Sequence, residues 1–189
     1  MIFAKSVFLL RLATLIAAPL CVSAAFAQGQ QQHAHVHGQL KLDIAVDGPT
    51  VVIAMESPLD NIVGFERAPR TDAERKTVED AVAMLRAADK LFLIDPAANC
   101  KLGPVDLQSS VLGLGKEAAA GTAAPAGAHA DLDATFSFNC TNAAAARFID
   151  VALFTAFKGP RQIDAQIATA QGQFQRTLKR PNARLAWGK

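Results

Sequence analysis

From Ala130 to Cys140 every second residue is apolar. Leu132, Ala134, Phe136, Phe138 and Cys140 alternate with Asp131, Asp133, Thr135, Ser137 and Asn139. Successive side chains leave a strand on opposite faces, so this order suits a strand buried on one side and wetted on the other. A second stretch repeats it, with Leu40, Leu42, Ile44 and Val46 set against Gln39, Lys41, Asp43 and Ala45. Asp47-Gly48-Pro49 is turn chemistry, and Val51 to Met55 is predicted to pair back on the first strand. A third alternation, Ile163, Ala165 and Ile167, leads through Gln171-Gly172 to a partner at Phe174 to Leu178, and Arg184 to Trp187 adds a terminal edge.

Between the strands the period changes. Leu59 to Glu66 reads as a short helix or ordered loop, broken at Ala68-Pro69. Thr71-Asp72-Ala73-Glu74 is a capping box, followed by Val78, Ala81, Val82, Leu85 and Ala88 on one helical face. Leu91 to Ile94 is a short apolar run stopped by Asp95-Pro96. Cys100, Leu102, Val105 and Leu107 suggest a strand kinked at Gly103-Pro104. Thr141 or Asn142 caps a predicted helix from Ala143 to Phe157, closed by Lys158-Gly159-Pro160. The fold class expected is α+β: a two-layer domain with a mostly antiparallel sheet, helices packed on one side and one disulfide. With 51% hydrophobic residues in 189, the chain can bury one sizeable core, placed here over residues 39–189.

Residues 1–27 have the pattern of an export signal. Lys5 and Arg11 supply the basic start, Val7 to Leu20 the apolar stretch, and Ala25-Phe26-Ala27 the small-x-small site, with cleavage expected after Ala27. Arg11 and Pro19 interrupt the apolar run, which argues against a retained membrane anchor. Leu20 stands where lipoprotein processing at Cys21 would need a small residue. The expected location is the periplasm. Without Lys5 and Arg11 the 19 basic residues become 17, equal to the 17 acidic ones. No Lys/Arg block exists, so nucleic acid and anionic membranes are unsuited as partners. Cys100 and Cys140 remain, an even pair in an exported chain that reads as a disulfide constraining the unfolded state by about 3–4 kcal/mol.

Chemistry is concentrated in an arm over residues 28–38. His33, His35 and His37 account for three of the four histidines, at two-residue spacing. An extended backbone presents all three imidazoles on one face, accessible rather than packed, although Gly38 marks a place where the strand register can break. Imidazole is a common ligand for divalent transition metals, and Zn(II) needs only three or four donors. His-rich composition alone weighs evenly against a solvated polar tail. No Gly-x-Ser-x-Gly elbow, His-Glu-x-x-His helix or phosphate loop occurs, and no cysteine is left over as a nucleophile. Glu56 and Glu66 flank Ser57 to Gly64, a position more typical of surface charges or helix-end caps than of a catalytic pair. A zinc hydrolase built on one flexible strand would be poorly preorganised, so no enzyme activity is expected. A competing class is an envelope binding or assembly module with incidental histidines.

His35-Val36-His37-Gly38, Glu56-Ser57-Pro58, Asn61-Ile62-Val63-Gly64-Phe65-Glu66, Asn99-Cys100, Phe138-Asn139-Cys140 and Asp150-Val151-Ala152-Leu153-Phe154, behind an export leader, resemble the ZrgA-type zinc-regulated periplasmic zinc-binding proteins of Gram-negative bacteria. The resemblance covers essentially the whole mature chain. It implies a non-enzymatic periplasmic protein that binds Zn(II) and aids supply to a zinc importer, with the binding protein of a zinc ABC importer as candidate partner. Members commonly carry a His/Asp/Glu-rich loop between the cysteine-bearing strands. Here Gly113 to Ala130 is low in complexity, with His129 as its one histidine. Members also often have His after Gly-Phe-Glu, where this chain has Arg67. Both departures remove donors. The expected ligands are His35 and His37, joined by His33, with His129 as a fourth from the loop and Glu66 or Asp131 completing the shell. One Zn(II) per monomer is expected, and imidazole donors would also accept copper or nickel.

Overall fold

A computed structural model describes residues 36–115 and 130–188. The expected export signal, His33, His35 and His129 lie outside the described residues. In chain order the elements are β1 (Gln39–Asp47), β2 (Thr50–Pro58), α1 (Leu59–Val63), α2 (Asp72–Arg86), β3 (Phe92–Ile94), β4 (Cys100–Gln108), β5 (Asp131–Cys140), β6 (Phe148–Val151), α3 (Leu153–Ala156), β7 (Gln162–Thr169), β8 (Gly172–Lys179) and β9 (Arg184–Ala186).

β1 and β2 form the expected antiparallel hairpin, with Leu42 opposite Met55 and Ile44 opposite Ile53. All four side chains are buried, as are Leu132, Ala134, Phe136 and Phe138 of β5 and Ile163, Ala165 and Ile167 of β7. The intervening residues of β1 and β5 are mostly exposed. These strands join a six-stranded sheet in the order β4-β5-β2-β1-β7-β8, whose apolar face is the core. Alternation therefore fixed the faces, since a slip of one residue would expose the whole apolar set. It did not fix the direction of every neighbour. β7 lies parallel to β1, while the other pairs of this sheet are antiparallel. A parallel partner needs a long crossover rather than a hairpin, and sequence period carries no sign of strand direction.

The second layer contains α2 and a smaller sheet, β3-β6-β9. Thr71 and Glu74 cap α2 reciprocally, as their spacing predicts, and Ala81 and Leu85 face the core. Phe92 of β3 meets Phe136 of the large sheet with ring centroids 5.0 Å apart, so the layers share one apolar interior.

The helix predicted over Ala143 to Phe157 is not formed. Its residues divide into a 3-10 turn (Ala143–Ala145), strand β6 and the short helix α3. The alanines gave the segment a helical composition, but Ile149 and Val151 are β-branched, buried, and two residues apart. Between them Asp150 turns outward to a two-point ion pair with Arg184 on β9, at 2.7 Å for each contact. Partners on both sides, β3 and β9, supply the backbone hydrogen bonds that hold the strand.

Cys100 and Cys140 occupy directly opposed positions of β4 and β5 and are disulfide-bonded.

Candidate metal centre

The strand register does not run back through the histidine arm. Gln39 N–H donates to the Val36 carbonyl at 2.9 Å, and Gly38 has φ +84°, so Val36 to Gly38 form a turn. His37 consequently does not extend the polar face of β1, and the expected row of imidazoles with His33 and His35 falls on residues outside those described. Side chains other than glycine rarely adopt that φ, and a Cβ on Gly38 would stand 3.3 Å from Arg161 Cδ. The turn swings His37 towards α1.

α1 follows β2 without a linker, and Leu59 N–H donates to the Ala130 carbonyl at 2.8 Å. Asp60 sits in its first turn. The helix ends at Gly64, which has φ +86° and donates its N–H to the Asp60 carbonyl at 2.9 Å. This left-handed cap reverses the chain, so Phe65 and Glu66 return past the helix they have just left. His37 is thereby caught between two carboxylates. Its Nδ1 lies 3.0 Å from Asp60 Oδ2, and its Nε2 lies 3.1 Å from Glu66 Oε1.

One ligating atom from each of His37, Asp60 and Glu66 can be chosen so that all lie within 4.8 Å of one another. Ligands of tetrahedral zinc, bound at about 2.0–2.2 Å, stand roughly 3.3–3.6 Å apart, so a small shift of these side chains would close them around one small cation. The carboxylates are also under-used. Asp60 Oδ1 and Glu66 Oε1 are buried oxygens with no hydrogen-bond partner, despite the nearness of the imidazole to Glu66. Buried polar atoms are nearly always satisfied, and two such oxygens beside one imidazole fit a cation. The imidazole itself is 64% exposed, against 23% and 26% for the two acidic side chains, so an ion has an open approach from the histidine side.

Arg67 follows Glu66, yet its charge is directed away. Its guanidinium makes two hydrogen bonds to Glu74, at 2.9 and 2.6 Å, and lies over the Phe65 ring. Glu74 also accepts from the Arg70 and Thr71 N–H groups. The Arg67 hydrogen bond, and then the Arg70 N–H, hold the Glu74 carboxyl down to about 2, while Glu74 raises Arg67. A carboxyl lowered on folding adds stability above its unfolded value near 4.5, and that contribution fades as pH falls through about 2. The clasp thus joins the segment carrying Glu66 to the start of α2, and neutralises a cation beside the candidate site.

His37 and Glu66 are both expected ligands by sequence, and the fold brings them together. It did not single out Asp60, an acidic residue in the first turn of a short helix, where a dipole role is the ordinary explanation. Its only signal was the six-residue spacing to Glu66 around a glycine. Asp131 begins β5 opposite Pro58 and is not one of the three clustered residues. Glu56 lies on β2 opposite Lys41, with 3.7 Å between Lys41 Nζ and Glu56 Oε2, and is a strand-surface charge.

The model of the family described as ZrgA family zinc uptake protein matches residues 34–187. The chain belongs to the ZrgA family. No curated protein matches it in sequence. The ZrgA match spans both sheets and all three candidate ligands, so family membership and metal-site geometry concern the same folded unit. Among the described residues no helix is long and apolar enough to cross a membrane.

The close packing behind the ZrgA site gives a test. A Cβ on Gly159 would fall 2.4 Å from Asn61 Cα and 2.5 Å from the Asn61 carbonyl oxygen, both backbone atoms of α1. Gly159→Ala is expected to displace α1 and destabilise the protein by about 1–3 kcal/mol. Thermal unfolding measures the cost. A melting temperature equal to that of the wild type would show that α1 moves freely here.

Proposed function

We propose that this ZrgA-family protein is a periplasmic Zn(II)-binding protein, without enzyme activity, that holds zinc and passes it towards the binding protein of a zinc ABC importer. The observation that carries the reading is His37 set between Asp60 and Glu66, with buried carboxylate oxygens that have no hydrogen-bond partner. One imidazole and two carboxylates supply three donors, and zinc takes four. His35, His33 and His129 are proposed as sources of the remaining donor, all three on segments outside the described residues. The family description, zinc uptake, supports zinc as the cargo over copper or nickel.

Isothermal titration of the exported chain with Zn(II) tests the reading. One ion per chain is expected, at about micromolar affinity or tighter. His37→Ala and the double change Asp60→Asn with Glu66→Gln are each expected to weaken binding at least tenfold. Equal affinity in wild type and both variants would overturn the site. Imidazole must be neutral to ligate, so binding is expected to fade below about pH 6.

A further inference from the structure

Asn61 is a buried polar side chain among the apolar residues of α1, only 2% exposed. Its amide is used at both ends. Oδ1 accepts the Gly38 N–H at 2.7 Å, and Nδ2 donates to the Gln39 carbonyl at 2.7 Å while lying 3.4 Å from Ser57 Oγ. An acceptor facing an N–H and a donor facing a carbonyl fix the amide orientation without ambiguity. The remaining polar group at this point, the Gly38 carbonyl, accepts the Arg161 and Gln162 N–H groups at 2.7 and 2.9 Å. Gly38 and Gln39 are therefore held from two directions, directly after His37.

The same helix turn presents Asp60 to the His37 ring. One residue grips the backbone behind the imidazole, and its neighbour faces the ring. Gly159 also packs closely on the Asn61 backbone, where there is no space for a Cβ. We infer that Asn61 is the positioning residue of the site: its side-chain amide clamps the Gly38-Gln39 backbone and so sets the His37 imidazole against Asp60 and Glu66. The inference rests on the zinc reading above and adds the device that preorganises it. Groups that orient a ligand without touching the metal typically change affinity by about 10–100-fold.

The test is a double-mutant cycle on the exported chain, read by Zn(II) titration and by the visible absorption of bound Co(II). Asn61→Ala is expected to lower Zn(II) affinity about 10–100-fold. It should also shift the Co(II) bands as imidazole leaves the shell. In the Asn61→Ala background His37→Ala is expected to cost little more, because the ring is already displaced. Leu85→Ala, a core truncation on α2, is the control: it lowers stability and is expected to leave affinity and bands unchanged. Asn61→Ser, which cannot span both partners, serves as the second variant if Asn61→Ala does not fold. It is expected to behave in the same way. Wild-type affinity in a folded Asn61 variant, or costs that simply add in the cycle, would overturn the inference alone. A wild-type chain that takes up no zinc would overturn the zinc reading and this inference with it.

Discussion

Phe136→Ala is expected to destabilise the protein by about 3–5 kcal/mol and lower its melting temperature by roughly 6–20 °C. Phe136 is fully buried at the centre of the apolar face, with Ile53 opposite on β2 and Val105 opposite on β4. Its ring also meets Phe92 from the smaller sheet. Truncation removes one of the contacts that join the two layers and leaves a cavity walled by strands, which cannot collapse as a loop would. Leu93→Ala is the comparison. Leu93 neighbours Phe92 but is 51% exposed, so its loss should lie within about 0.5 kcal/mol. Chemical denaturation of the two variants separates them. A Phe136→Ala cost below 1 kcal/mol would mean that the layers are not held through this contact.

Replacing both cysteines by serine is expected to cost about 4 kcal/mol, from the chain entropy that a crosslink spanning 40 positions removes from the unfolded state. The consequence should also be local. β4 is an outer strand of the large sheet, with a register shift between Leu102 and Val105 around Gly103-Pro104. Proline donates no backbone hydrogen bond, so the β4–β5 ladder is interrupted between its two paired segments, and the crosslink pins the Cys100 end of this edge strand. Amide exchange is expected to quicken along β4 first, with β1 and β2 still protected. Uniform loss of protection across the sheet would instead show that the crosslink sustains the whole fold. In the folded fraction Zn(II) binding should be retained, since the candidate ligands lie on the turn before β1, on α1 and just after Gly64, away from β4.

Much of the architecture is legible in side-chain order. Period-two runs in β1, β5 and β7 name their buried residues because a strand offers no other way to segregate them. The Thr71–Glu74 pair marks the start of α2 because both side chains satisfy N–H groups that the helix leaves open. Cys100 and Cys140 read as a pair from their number and from the expected export signal, and their register agrees. The segment Ala143 to Phe157 misleads for an equally physical reason. Its alanines favour a helix, but none of them lies in β6, which exists because β3 and β9 wait on both sides, and local order cannot express that.

The candidate site divides along the same line. His37 and Glu66 were legible as donors by residue type, and the zinc family by the motifs around them. Asp60 was not, because its role depends on two left-handed glycines. Gly38 turns the imidazole off the strand, and Gly64 folds Glu66 back along α1. Asn61 was likewise only one letter of a motif until its amide was found bridging Gly38 and Gln39. By itself the order of residues determined which side chains are apolar, which strands are half-buried and which atoms are able to bind a metal. Only the tertiary structure decided which donors meet. Ligation depends on separations of a few ångströms between atoms far apart in the chain, and those are set by backbone turns and a buried amide clamp rather than by spacing along the sequence.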